Sequence, residues 1–333
     1  MNRMTFLRTV VAASVATSVT LLGAATAQAQ AVKLTLGHGA AIGNPRHEAA
    51  VKFAEVLKAR SGGRIEVQVA PSAQLGDDAA MVTALRTGAL DLSANSQGAV
   101  SNAVPEYAAF GMPFMFSSAA AAFRLLDGPL GKELAEKSAE KGLVLLGTWD
   151  NGIRQMTNSK RPINQVADMK GLKMRVPPDA TLVDIMKSLG AESQQIKFAE
   201  LYVALQQGVV DGQENPLVNI HASKLYEVQK HLALTNHQFQ MTPFLMSKRS
   251  WDRLSAADQK AVMEAAAEAT ALQRKLSQEA DDRLLAELKA KGVMVTTPDK
   301  AAFAKATADV DDKWMASPIG AYVKKVVAAA RGQ

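Results

Sequence analysis

One pattern occurs twice in this chain of 333 residues, and it narrows the folds open to it. Ala84-Leu85-x-x-Gly88-x-Leu90-Asp91-x-x-x-Asn95 returns as Ala204-Leu205-x-x-Gly208-x-Val210-Asp211-x-x-x-Asn215, displaced by 120 residues. Each copy reads as the end of an apolar-periodic helix, a glycine stop, a short apolar step and a side-chain amide. The second copy closes on Pro216. In open α/β sheets, ligands bind beyond the carboxyl ends of the strands. The repeat therefore predicts two lobes of related design, offering Asn95 and Asn215 to a shared cleft.

Strand and helix readings alternate around both copies. Apolar runs predict strands at 33–37, 64–69 and 90–94, with helices at 47–60 and 77–87 between them. That βαβαβ order implies a parallel sheet covered by helices. A strand at 143–148 leads into Trp149-Asp150-Asn151-Gly152, which reads as a polar turn and a crossover between lobes. A second set follows at 169–176, 181–189, 198–207 and Val209-Val210, and a strand at 239–247 returns to the first lobe. From 256 to 291 the chain is rich in Ala, Leu, Glu, Lys, Gln and Arg, with Ser255 as N-cap and Gly292 as stop. A helix of ~36 residues would run roughly 54 Å, so it either breaks near Ser277 or lies across both lobes. The expected organisation is a leader over 1–31, lobe I over 32–151 and 240–278, and lobe II over 152–239 and 279–333.

Arg3 and Arg8 precede an uncharged apolar run at 10–25, and Ala27-Gln28-Ala29 and Ala29-Gln30-Ala31 are both small-x-small sites. This is the pattern of a cleavable signal peptide for export to the periplasm, too short and too diluted by Ser, Thr and Gly for a spanning helix. Setting aside those two arginines, 36 Lys and Arg face 32 Asp and Glu, a net charge near +4. No basic run is dense enough for a nucleic-acid face. The absence of cysteine excludes disulfides, thiol catalysis and Cys-ligated metals. The five histidines lack metal-binding spacing, and no nucleophile motif or Ser/His/Asp set can be assembled, so neither a cofactor nor catalysis is expected. Gly37-His38-Gly39-Ala-Ala-Ile-Gly43 misses a dinucleotide fingerprint by one residue, and the next strand ends in Val69-Ala70-Pro71 rather than an acidic residue. That loop instead lets a ligand approach the backbone, which makes His38 a candidate contact.

The charged side of the cleft lies in Asp168-Met-Lys-Gly171-Leu-Lys173-Met-Arg175-Val-Pro177. Strand alternation sets Lys173 and Arg175 on one face, and an arginine at a strand's carboxyl end suits bidentate capture of a carboxylate. Arg154, after the crossover, reads either as a second donor to the same anion or as a hinge ion pair. Phe198 heads the helix leading to Asn215 and reads either as core or as an aromatic wall.

With Gly171-Leu-Lys-Met-Arg175 and Asp211-Gly-Gln-Glu-Asn215 forty residues apart, the chain resembles the solute-binding proteins of tripartite ATP-independent periplasmic (TRAP) transporters, the DctP type. Pro71-Ser-Ala-Gln-Leu-Gly-Asp-Asp78, Asn151-Gly-Ile-Arg-Gln155, Phe198-Ala-Glu-Leu-Tyr202 and Tyr226-Glu-Val-Gln-Lys230 extend the likeness through the chain. The resemblance implies a two-lobed periplasmic binding protein, each lobe a mainly parallel sheet flanked by helices, with a long helix spanning both. It also implies that Arg175 pairs with a ligand carboxylate, helped by Asn215 and Arg154, with Phe198 against the ligand body. A monomeric receptor would hand its ligand to a permease of a small and a large membrane subunit, driven by a sodium gradient. Gly39, Pro178 and Asn95 depart from the sialic-acid-binding branch, which resembles Asn at the first two positions and an acidic residue at the third. Each lost polar partner would cost about 1–3 kcal/mol. The departures point to a smaller or less hydroxylated carboxylate such as a C4-dicarboxylate, keto acid or hydroxy acid, with a sugar acid (a uronate or a sialic-acid-like ligand) as the alternative, and a receptor for an ATP-driven (ABC-type) permease or an exported α/β enzyme as further ones.

Overall fold

A computed structural model describes residues 31–332. The expected leader lies, but for Ala31, outside the described residues. Nine strands form one sheet: β1 (Val32–His38), β2 (Ile65–Ala70), β3 (Leu92–Ala94), β4 (Leu143–Asn158), β5 (Lys173–Val176), β6 (Glu192–Gln195), β7 (Gly212–Asn215), β8 (His231–Ser247) and β9 (Met294–Thr296). Their order is β2-β1-β3-β8-β4-β7-β5-β6, with β9 beside β8. The expected parallel sheets are both present, β2-β1-β3 on one side and β7-β5-β6 on the other. They are not separate sheets, however. β4 and β8 are long antiparallel strands, and each closes one parallel set and continues into the other half.

The repeat seen in the sequence is a structural duplication. Gly88 and Gly208 both take left-handed φ, +80° and +69°, and end their helices through matching backbone bonds to Leu85 and Leu205. Asp91 Oδ2 accepts from the Thr35 amide on β1 at 2.9 Å, and Asp211 Oδ2 accepts from the Lys173 amide on β5 at 3.0 Å. Each aspartate thus ties its turn to the first strand of its own half. The second strand of the pair is not the β-branched Val209-Val210 step. Val210 packs into the core, and β7 begins after it, at Gly212.

Trp149-Asp150-Asn151-Gly152 is likewise not a turn. β4 runs straight through it, with pairing shifts against β8 at Leu145/Gly147, Asp150/Gly152 and Arg154/Met156. The first two are bulges that each leave one unpaired residue on β4 and bend it, and at the third Gln155 lies opposite residues 234–237 of β8. Gly152 takes φ +115°, and a Cβ there would sit 2.8 Å from Pro216 Cβ. Gly152→Ala is therefore expected to cost about 1–3 kcal/mol, read as a lower urea midpoint at unchanged slope.

Apolar clusters cover both faces of each half. The helix Ala256–Ala290 is unbroken and ties the halves together. Its first half sets Ala261, Val262, Ala265 and Ala269 against Phe53 and Trp149, and its second sets Ala280, Leu284 and Leu288 against Leu201, Val218 and Leu232. Between them Gln273 is buried, accepting from the Asp150 amide at 2.6 Å and donating to the Asp150 carbonyl at 2.7 Å and Ser277 Oγ at 3.0 Å. The bends fall in β4, and this polar clamp lets the helix cross them intact. The C-terminal helix Gly320–Arg331 packs Tyr322, Val323 and Val326 against Leu85 and Phe110, elements of the first half. No helix among the described residues is long and apolar enough to cross a membrane.

Candidate functional site

Between the halves lies a cavity of ≈160 Å³, smaller than the ~300–1,000 Å³ typical for drug-sized ligands. The carboxyl ends of β5 and β7, the β4 bulge and the first turns of two helices form its walls. Arg175, Arg154, Asn215 and Phe198, all expected from sequence, line it, together with Arg46, Asp78, Asn151, Asn219 and Gln240.

Arg175 is 1 % exposed and donates through Nε to the Ile196 carbonyl at 2.8 Å. No carboxylate pairs with it among the described residues. Its guanidinium carbon stands 5.8 Å from the Phe198 ring centre, so the aromatic flanks the cation. Burial pushes its pKa down to about 10, against the pull of Glu214. A buried, unpaired arginine is costly to keep, and an incoming anion would relieve the cost.

Arg154 resolves differently. It grips buried Glu214 through Nε and Nη2, donates to the Glu214 carbonyl at 2.7 Å, and gives Nη1 to Gln240 Oε1 at 2.9 Å. The sequence left it between ion pair and ligand donor; here it is an ion pair that also faces the cavity. His237 Nε2 lies 3.3 Å from Glu214 Oε2. Burial would raise the Glu214 carboxyl, but Arg154 and His237 prevail and hold it below its usual range.

An amide network joins the two halves across the cleft. Asn44 donates to Asn219 Oδ1 at 2.9 Å; Asn219 donates to Asn151 and Asn215, each at 3.1 Å. Arg46 donates to the same Asn151 oxygen at 3.0 Å and to Thr242 at 2.8 Å. At the mouth, Lys197 pairs with Asp77 at 2.8 Å. With Lys197 matched by Asp77 and Arg154 by Glu214 behind it, Asp78 is the remaining carboxylate among the lining residues against Arg46 and Arg175, which leaves the wall of the cavity one positive charge in excess.

Two expected contacts lie elsewhere. Asn95 is fully buried and does not line the cavity; its backbone bonds Pro243, and its neighbour Ser96 takes the cleft position. β3 ends at Ala94 whereas β7 includes Asn215, paired with Gln155, so the duplicated positions are not equivalent in the sheet. His38 is also fully buried, 3.3 Å from His47, and burial, reinforced by Arg46 and His47, drives its pKa down to about 3.

Arg46 and Gln240 were missed, though each left a signal. Arg46 is a cation in the first turn of a helix, where the macrodipole disfavours it. Gln238, Gln240 and Thr242 make a period-two polar stripe on a central strand, and all three are buried.

Residues 36–317 match the family model of the bacterial extracellular solute-binding proteins, family 7 (DctP). The uncharacterized protein y4mM of Sinorhizobium fredii is 55 % identical over 278 residues, 83 % of this chain but only 51 % of that relative, so the chain spans about half its length. The sugar-acid-binding protein DctPAm of Advenella mimigardefordensis, solved with galactonate, is 34 % identical, with a TM-score of 0.88 over 91 % of this chain and 99 % of that one. A TRAP periplasmic solute-binding protein of Polaromonas sp. JS666, solved with D-erythronate, is 36 % identical, with a TM-score of 0.86 over 89 % and 98 %.

Proposed function

Because this chain belongs to the DctP family of bacterial extracellular solute-binding proteins, we propose that it is a TRAP receptor for a small hydroxylated organic-acid anion. The observation that carries the ligand reading is Arg175: a buried guanidinium without a carboxylate partner among the described residues, on the wall of a cavity between two halves. The ligand's carboxylate would take that place in charge-assisted, bidentate geometry. Asn151, Asn215, Asn219 and Gln240 would then serve its hydroxyls, and Asp78 would accept from the far end. The net single positive charge suits a monoanion.

Lobe I comprises 32–151 and 240–278 and lobe II the remainder from 152, with the C-terminal helix reaching back onto lobe I. Ligand contacts made only when both lobes meet would stabilise the closed form. The protein acts as a monomeric periplasmic receptor, not an enzyme, exported by its N-terminal leader. It passes the anion to a permease of a small and a large subunit, driven by sodium.

A second reading is a dicarboxylate. Arg46, also buried and without a carboxylate partner among the described residues, would hold the second carboxylate. Thermal-shift titration with D-galactonate, D-erythronate, succinate and neutral D-galactose separates these. A ligand at 100 times its Kd adds about 2.7 kcal/mol of stability. The monoanion reading expects a shift with one of the aldonates and none with succinate, the dicarboxylate reading the reverse. A shift with galactose equal to that of the acids would overturn both.

A further inference from the structure

We propose that a cavity on the face of the sheet opposite the cleft is a second binding site, one that takes an organic cation through Asp150. The bulge between Asp150 and Gly152 shifts the alternation of β4, so Asn151 and Arg154 face the cleft while Asp150, Gly152, Ile153 and Gln155 line this second space. Its volume is ≈650 Å³, within the ~300–1,000 Å³ range of small-molecule sites. Ile153, Leu217, Leu234, Leu285 and Phe123 provide apolar walls. Asp150 is 7 % exposed, and its Oδ1 has no hydrogen-bond partner among the described residues.

Among the described residues, the other charged groups lining the space are Asp281, Asp127, Arg124 and Arg274. Arg274 is committed elsewhere: it holds both Asp127 oxygens at 2.7 and 2.9 Å and both Thr148 oxygens, and lies 3.7 Å over the Phe123 ring. Burial pushes the Asp150 carboxyl up to about 7, with Asp281 adding to it and Arg274 and the Gly152 amide opposing. A desolvated carboxylate with one oxygen lacking a hydrogen-bond partner among the described residues is what an unfilled cation site presents, and strongly perturbed groups in concave sites mark function. An ammonium reaching Asp150, with its apolar body against Leu217, Leu234 and Ile153, satisfies both halves of the cavity. The cleft, with its excess positive charge, would repel the same molecule.

Calorimetry and saturation-transfer NMR with phenethylammonium chloride, against 2-phenylethanol and phenylacetate, test this. At pH 8 the amine is expected to bind at least tenfold more tightly than either isostere. The carboxylate fraction of a group with pKa about 7 falls roughly tenfold between pH 8 and pH 6, and affinity should fall with it. Asp150→Asn should abolish the preference for the amine and the pH dependence. Leu285→Lys, which supplies a resident ammonium, should also displace the probe without touching Asp150. No binding at 10 mM, or binding unaffected by both variants, would overturn the proposal. So would loss of binding in Arg175→Ala, because it would place the amine in the cleft.

Discussion

Arg175→Ala is expected to weaken binding of the cognate acid by about 2–5 kcal/mol, roughly 30-fold to several-thousand-fold in Kd. The size follows from leaving a ligand carboxylate buried without its charge partner. The same variant should be no less stable than the parent when both are free of ligand. Arg175 gives up the hydrogen bond to the Ile196 carbonyl and its place beside the Phe198 ring, and among the described residues it has no carboxylate partner to strand. Calorimetry gives the first quantity and ligand-free urea unfolding the second. A loss of affinity below fivefold would remove Arg175 from the carboxylate clamp. Lost affinity accompanied by an equal loss of fold stability would recast it as a structural residue. Arg175→Lys should recover only part of the binding, since a point charge cannot reproduce the planar fork.

Glu214→Ala should act in the opposite way, through the fold. It strands buried Arg154 and removes the partner of His237, and breaking a buried pair costs about 3–5 kcal/mol. Replacing both ends, as Arg154→Met with Glu214→Leu, should restore much of that loss, because the desolvation cost disappears with the charges. The sign of the pH effect follows from the Glu214 shift. Its carboxyl is held below its ordinary value in the fold. Its contribution is therefore complete above the unfolded-state value and fades as pH falls through the folded one. Acid unfolding of the wild type should begin at lower pH than that of Glu214→Gln.

Backbone architecture was more legible than side-chain direction. The duplicated glycine and aspartate turn was readable because both residues do local work: glycine alone accepts the left-handed φ cheaply, and aspartate ties the turn to a nearby strand. Asn215 and Asn95 show the limit. The same offset in sequence delivers one amide to the cavity wall and buries the other, because β7 includes Asn215 whereas β3 ends at Ala94. Trp149 to Gly152 was misread as a turn because its polar residues suggested solvent. They are polar because β4 is a bent central strand with a cavity on each side. Arg154 could not be assigned without Glu214, which lies 60 residues away in sequence and meets it only through the β4–β7 pairing.

The most direct test of the central claim is a crystal structure of the protein with the acid that binds most tightly in the galactonate, erythronate and succinate series. The carboxylate should lie in the cavity between the halves, with both oxygens about 2.7–2.9 Å from the Arg175 guanidinium nitrogens. A carboxylate held elsewhere, or directed at Asp78 with Arg175 unpaired, would contradict the account.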